Sequence, residues 1–569
     1  MSASTFTYQT RIDVSPAQAE MLDAYAELYG VVERTLFSRL CAGEETDKLK
    51  SAFCAQWGIT ARQYNAISVG LKGKIDSIKE RRTGLLKELD QRIVAARKVL
   101  KKLGKEPKKE LAAARRVRLF KTHQKKRRLA TLESRHAAMD ADHKADKVRI
   151  AFGSKKLFRA QFSLEENGYA CTDQWREDWR NVRSSQFLVL GSKDETAGCQ
   201  GCVATVAMDD SLTLRLRLPD SVADGLHEPG TGTGMGMVVG KHVVIEGVRF
   251  AYGHDNVVAA LNSYSATTVV GTTGKGEGKN VRRVTGTALT YRFVKDDKGW
   301  RVFVAVAVAA PVTTSKATLG AIGVDINADH LAAAETDRFG NLLSVRRFDA
   351  ITYGKTNEQA EAVYGDVAVS IATMARDAGK PVVIESLDFA QKKSQLEAVD
   401  RRCSRMLSAL GYAKAASMLK AACFRLGVDV HDVNPAYTSV IGAIKFAQRF
   451  GISIHQGAAY AIARRGMGLH EKPAARVGLV PTRNGGHVAF DLPVRNRSKH
   501  VWTFWAGTRR KLSAALVEHY RCVGKKPAPP SPLSTKSPRS LCANRSFGAG
   551  FPIASQQHCS ADAPGDVPF

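Results

Sequence analysis

Residues 5–15, TFTYQTRIDVS, alternate polar and apolar positions and are rich in Thr, Tyr and Val, which predicts a strand. The period then changes. Ser15 is placed to cap a helix, Pro16 suits its first position, and apolar residues in SPAQAEMLDAYAELYGVVERTLFSRL recur at helical spacing. Helical patterning runs on to about residue 145. From about 146 to 315 period two returns in QFLVLG, CVATVAM, LTLRLRLP, HVVIEGVRFAY, ATTVVGT, RVTGTALTYRFV and WRVFVAVAVAAPV, separated by Gly, Asp and Asn. These runs predict an antiparallel β-domain, expected to close into a barrel. Two glycine-rich stretches, GTGTGMG (230–236) and GTTGKGEGKN (271–280), lack a phosphate-loop pattern and fall between strands as hairpin loops.

Residues 318–470 carry a different order of elements. TLGAIGVDI, HLAAAETD (330–337) and LLSVRRFD (342–349) read as three successive strands, the last two joined by the turn RFGN. EQAEAVYGDVAVSIATMARDAG (358–379) reads as an amphipathic helix ended by glycine, and PVVIES (381–386) as a short buried strand. RMLSALGYAKAASMLKAACFRLG (405–427) is a second helix, VDVHDV (428–433) a fifth strand, and HQGAAYAIARRGMG (455–468) a final helix. The order βββαβαβα is that of the ribonuclease H-like fold, with three antiparallel strands followed by parallel strands reached through helical crossovers. The tail from 524, which contains KKPAPPSPLSTKSPRS, predicts disorder.

The 569 residues accommodate about three domains, and the net charge changes what they are expected to do. Lys and Arg number 85 against 55 Asp and Glu, a formal charge of +30. That excess predicts a polyanionic partner. It peaks between Arg97 and Arg135, with sixteen Lys/Arg and three Glu. Gly104 and Pro107 interrupt this run and predict two long antiparallel helices joined by GKEP. Like charges at i,i+4 repel unless anions intervene, so Lys101, Lys102, Arg115, Arg116, Lys125, Lys126, Arg127 and Arg128 are candidate phosphate contacts. Ten cysteines in so long a chain do not form a dense disulfide framework and read as reduced thiols. Cys199-x-x-Cys202 has no second pair at zinc-ribbon spacing and reads as a hairpin pair. No apolar run is long enough for a transmembrane helix, and the first residues lack a signal-peptide core, so a cytoplasmic protein without a membrane partner is expected.

Asp325, in GVDINADH (323–330), ends a buried strand with no Lys or Arg within four positions on either side. A carboxylate so placed needs a solvent-exposed turn, a distant cation or a metal ion. The ribonuclease H-like order brings Glu385 at the end of VVIES beside it, and His455 on the final helix. Taken singly, Glu385 reads as a strand-end residue facing water and His455 as a first-turn residue. Taken together, converging anionic groups are tolerated at neutral pH chiefly when divalent cations bind between them, so the three are candidate catalytic and metal-ligating residues. Two metals would activate water and stabilise the leaving oxygen of a phosphodiester.

GVDINADHLAAAETDRFGN, VVIESLDF and HDVNPAYTSVIG resemble the three RuvC-type nuclease motifs of TnpB proteins, transposon-encoded relatives of type V CRISPR effectors. The resemblance covers about 318–470 and is architectural over 1–315. It implies a multidomain α+β chain: a first strand of a wedge β-barrel (1–15), a basic helical recognition region inserted in that barrel (16–145), the rest of the wedge barrel (146–315), an α/β ribonuclease H-like RuvC domain (316–523) and the tail (524–569). It implies an RNA-guided DNA endonuclease that uses Mg2+ or Mn2+, with a guide RNA and double-stranded target DNA as partners. By analogy the stretch from Ser386 to Arg402, with Lys392 and Lys393, is a lid that contacts nucleic acid. Two departures stand out. VIGAIKFAQRFGIS, between NPAYTS and the final helix, has no cysteine, so the family's zinc ribbon is absent and no structural zinc is expected. The family's D-x-N-A-A pattern reads His455-Gln456-Gly457-Ala458-Ala459 here, which replaces an oxygen ligand by imidazole. If His455 cannot complete the site, the same scaffold is a guided DNA-binding protein that blocks transcription. A resolvase or integrase acting without RNA is a third reading, disfavoured by the large basic helical and β-regions.

Overall fold

The computed structural model describes residues 4–106, 110–225, 241–271, 279–386, 411–472, 476–482 and 486–522. The loop 230–236, most of 271–280, Lys392 and Lys393 with nearly all of the expected lid, and the tail from 524 lie outside the described residues.

In the first half the described strands are β1 (Ser4–Arg11), β2 (Gln186–Val189), β3 (Cys202–Val206), β4 (Leu212–Arg217), β5 (His242–Val248), β6 (Ser265–Gly271), β7 (Lys279–Thr285), β8 (Thr290–Asp296) and β9 (Gly299–Val308). They form sheets of order β1-β9-β8-β2, β3-β4-β5 and β6-β7. β1 pairs antiparallel with β9 over its whole length, from Ser4 opposite Val308 to Arg11 opposite Arg301. The expected barrel is therefore corrected: among the described residues these sheets are open. Alternation specifies one apolar face per strand but not what covers it. Here the cover is the helix Pro16–Cys41, capped by Ser15 and Gln18 as a capping box, with Pro16 in its first turn. Its Leu22, Tyr25, Val32 and Leu36 are buried in one core with Phe187, Leu214, Val243, Tyr291 and Val302 from the first two sheets.

The basic run forms the antiparallel hairpin its pattern predicts, from Ala61–Leu103 and Ala112–Lys144. Leu89, Ile93 and Ala96 meet Leu132 between the two helices. At the tip Arg118 is bonded to Glu106, Glu110 and the Leu103 carbonyl. Lys101, Lys102, Arg115, Arg116, Lys126, Arg127 and Arg128 are exposed and Lys125 is half-buried. Residues 154–183 are mainly helical, with Lys155–Ala160 and Thr172–Arg183, and the strand pattern begins only at Gln186.

The second half holds a five-stranded sheet built from β10 (Ile322–Ile326), β11 (His330–Thr336), β12 (Leu342–Asp349), β13 (Val382–Glu385) and β14 (Val430–Val433). Their order is β12-β11-β10-β13-β14. β10, β11 and β12 are antiparallel neighbours, while β10–β13 and β13–β14 are parallel. This is the arrangement expected from the βββαβαβα order, and it needs the crossover helices Asn357–Ala378 and Tyr412–Arg425. Ile322, Val324, Ile326, Val382 and Ile384 pack under those helices. Val383 packs on the opposite face, against Ile462 and Ala463 of the final helix Ile454–Gly466. β10 and most of β13 are covered on both faces, which explains their nearly unbroken apolar runs. Beyond the final helix a hairpin of β15 (Val477–Pro481) and β16 (His487–Asp491) and the helix Val501–Cys522 extend the core on that face, with Phe504 and Trp505 buried beside Ala332 and Ala334.

Candidate active site

Gly323 and Asp325 point to the face of the sheet that the final helix covers. At Gly323 the helix backbone comes so near that a Cβ would stand 2.0 Å from the Ala459 carbonyl oxygen and 2.4 Å from the Ala463 nitrogen. Only glycine permits that approach. The close contact draws the start of the helix over the end of β10. Ser453 caps the helix and forms a capping box with Gln456, so that His455 stands in the first turn with its backbone fixed.

Asp325 is 8 % exposed and carries two described side-chain partners. Asn327 Nδ2 donates to its Oδ2 at 2.9 Å, and His455 Nδ1 lies 3.1 Å from the same oxygen. The distant partner of Asp325 is thus an imidazole rather than Lys or Arg. Glu385 is the last residue of β13, one step beyond the pair Val324 and Ile384, and so is level with Asp325 on the same face. The Thr438 hydroxyl donates to Glu385 Oε1, and the Tyr412 hydroxyl donates to the Glu385 carbonyl at 2.6 Å. Burial, and then the charges of Glu385, Asp325 and Asp432, push the Tyr412 phenol well above its ordinary pKa. That influence places both strand-end carboxylates within electrostatic reach of one hydroxyl.

His330 opens β11, is buried, and packs edge-on against His455 with ring centroids 4.8 Å apart. Its Nδ1 lies 2.7 Å from Asp329 Oδ1, and Arg347 approaches the other Asp329 oxygen at 3.7 Å. Burial, and the cations of His455 and Arg347, lower the His330 pKa against the pull of Asp329. For Asp329, burial works upward, but the hydrogen bond and charge of His330, with Arg347, bring the carboxyl below its usual value. Asn327, Asp329, His330, Tyr412 and Thr438 all contact the site or its partners, and sequence reasoning gave none of them a role. Asp329 and His330 lie inside the motif itself, where an Asp-His dipeptide at a strand start was the available signal. Thr438 and Tyr412 had none, since only the fold brings them in.

Asp429 and Asp432, on or beside β14, are engaged elsewhere. The Ser315 hydroxyl bonds Asp429 at 3.2 Å, and Lys420 bonds Asp432 at 2.7 Å. Two oxygen-donor carboxylates level on neighbouring parallel strands suit a hard divalent cation. Among the described residues no three of His, Cys, Asp and Glu are grouped to hold one ion, and His455 is directed to Asp325. Cys199 and Cys202 are buried near each other in the first-half core, remote in sequence from this site, and burial raises both thiols. No described helix is long and apolar enough to cross a membrane.

No protein-family model and no curated protein matches the chain. Among solved structures, RuvC of T. thermophilus in complex with a Holliday junction substrate is 15 % identical, covers 26 % of this chain and 90 % of its own, and superposes with a TM-score of 0.19. A Cas12f1–sgRNA–target DNA complex is 10 % identical over 81 % of this chain and 99 % of its own, TM-score 0.18. A CRISPR–Cas12f ternary complex is 9 % identical over 81 % and 98 %, TM-score 0.18. These values carry no argument on function, and the assignment of the second half rests on its own strand order and register.

Proposed function

We propose that the chain is an RNA-guided, divalent-metal-dependent DNA endonuclease, with Asp325 and Glu385 as the carboxylates of a RuvC-like site. The observation that supports it best is the placement of these two residues at the ends of paired parallel strands, on one face, beneath a helix that delivers His455. Two carboxylates level at the ends of neighbouring strands favour a divalent counter-cation between them. When bound there, Mg2+ or Mn2+ supplies Lewis acidity toward a phosphodiester. Asp325 and Glu385 would hold the ion and so position the scissile phosphate. Asn327 and Thr438 fix the carboxylate rotamers by one hydrogen bond each. With Nδ1 turned to Asp325, His455 leaves Nε2 to hold or pass a proton, in the way a carboxylate orients an imidazole in a hydrolytic dyad. The charge of +30 and the exposed cations of the helical hairpin supply the surface that a guide RNA and a target duplex require.

A second reading, a guided DNA-binding protein without cleavage, is favoured by one observation. The imidazole bonds Asp325 where an oxygen ligand would face both carboxylates. Plasmid cleavage by the protein with its copurifying RNA, in Mg2+ and in Mn2+, separates the two. The nuclease reading requires cutting that Asp325→Ala and Glu385→Ala each abolish while DNA binding persists. Undiminished cutting by Asp325→Ala would end the site assignment, and binding without cutting in either metal would establish the second reading.

A further inference from the structure

A cleft of about 550 Å3 opens between the first helix and the helical stretch before β2, lined by Arg34, Phe158, Lys155, Arg159, Trp179 and Arg183, among others. Four aromatic rings run in file beside it. Trp175 and Trp179 stack at 5.9 Å, Trp179 meets Phe158 at 5.7 Å, and Phe158 meets Phe162 at 6.3 Å. Trp175 is the anchored end, buried and donating to the Leu157 carbonyl at 2.8 Å. The other end is bare, with Phe158 45 % and Phe162 75 % exposed. Gly153, at φ +96°, keeps the approach to Trp179 open, since a Cβ there would stand 3.0 Å from its ring.

Of the five cations that line the cleft, Arg149 is paired, with Asp142 at 2.8 Å. Among the described residues Arg34, Lys155, Arg159 and Arg183 make no ion pair, and the Arg183 guanidinium instead lies over the Trp179 ring at 5.0 Å. The acids of the same helix are turned to other work: Asp173 pairs with Arg176 at 2.8 Å, and Asp178 accepts from Tyr169 at 2.9 Å. Burial, and then the neighbouring Arg183, hold Arg34 below its ordinary pKa against the pull of Glu33 and Glu27. Exposed rings ask for a flat apolar partner, and unpaired cations ask for phosphates. One polymer presents both, an unpaired nucleic-acid strand, whose splayed bases can meet rings set at 51° and 80° to one another.

We propose that Trp179, Phe158 and Phe162, with Lys155, Arg159 and Arg183, form a stacking platform for unpaired nucleotides. The platform shares with the proposed function a nucleic-acid partner but is independent of hydrolysis. The test is photo-crosslinking of the full-length protein to a 5-iodouridine single-stranded RNA, with peptide mapping, and titration of the same sequence as RNA and as DNA. The expected result is a crosslink on Phe158, Phe162 or Trp179. Phe162→Ala, which removes an exposed ring without opening a core, should weaken binding roughly five- to tenfold. Lys155→Glu with Arg159→Glu should weaken it by roughly tenfold or more at low salt. Tighter RNA binding would identify a guide as the source of the strand, and tighter DNA binding an unpaired target strand. Crosslinks confined to other regions, with all variants within about twofold of the parent, would overturn the platform. So would competition by polyglutamate equal to that by RNA, which would show a patch that reads charge alone. Neither result bears on Asp325, and continued cleavage by Asp325→Ala would leave the crosslink intact.

Discussion

His455 Nδ1 and Asp325 Oδ2 lie 3.1 Å apart although 130 positions separate them in the chain. The imidazole thereby occupies the side of Asp325 nearest the helix. Replacing it by an oxygen ligand should redirect the site toward Mg2+, which prefers oxygen donors. His455→Asp is expected to retain or raise cleavage in Mg2+ and to narrow the difference between Mg2+ and Mn2+. Loss of cleavage in both metals would assign the imidazole an indispensable proton-transfer role.

Thr438 is buried and its hydroxyl holds Glu385 Oε1. Thr438→Val keeps the shape and removes the donor. If Glu385 ligates a metal as proposed, loss of such a partner is expected to change metal affinity or activity by about 10- to 100-fold. The expected outcome is a loss of that order in cleavage, partly recovered at high Mn2+, with the same melting temperature to within a few degrees. A variant that cleaves like the parent would show that Glu385 needs no such hold.

Gly323→Ala places a methyl group against the backbone of the final helix. Overpacking in cores costs typically about 1–3 kcal/mol, and backbone atoms yield less readily than side chains. The variant should melt lower and lose cleavage together, because the helix that moves carries His455. Normal stability with lost activity would break the link between this contact and the site.

Glu471 joins the final helix to the segment preceding it, with Lys445 Nζ and Arg464 Nε each 2.5 Å from one of its oxygens. Burial works to raise its pKa, but those two cations bring it below the ordinary carboxylate value. The stabilisation is therefore full above the unfolded-state pKa and fades as pH falls through the lower folded-state one. Glu471→Gln should reduce stability at neutral pH and lose less on acidification than the parent does. Chemical denaturation at pH 7 and pH 3.5 checks both signs, and parallel acid losses would refute the coupling.

On the helical hairpin, Lys126 and Arg127 are exposed. If they meet phosphates, Lys126→Ala with Arg127→Ala should flatten the salt dependence of RNA binding by roughly 1–2 in the log–log slope. An unchanged slope would exclude these two positions from the phosphate-contacting face.

The legibility of this chain divides along physical lines. The second half was readable because β10 and most of β13 are covered on both faces and its helices are amphipathic, so the short unbroken apolar run of PVVIES stood apart from the longer periodic helices around it. Asp325 and Glu385 could be singled out because charge at the end of an apolar run is costly. Thr438 and Tyr412 could not, since a hydroxyl after a loop and a phenol at a helix start carry no local cost that betrays a partner. The barrel expected of the first half failed for a related reason. Val243, Leu214 and Tyr291 declare that a face is covered, yet nothing in their spacing distinguishes a second strand from the helix bearing Leu22 and Tyr25. The aromatic file from Trp175 to Phe162 was likewise hidden, because its members belong to two short helices and the turn after the first, which only meet once folded.

The pairing of β1 with β9 sets a timetable for biogenesis. Phe6 cannot meet Val306 until about three hundred further residues have been made, roughly 15–60 s of translation. The long helices between them, whose contacts are local, form far sooner. The nascent chain therefore carries an unmated edge with Arg11 at its end, while a fully formed cationic hairpin already projects from it. The cationic face of that hairpin is thus exposed before the sheet that will anchor it has come into being.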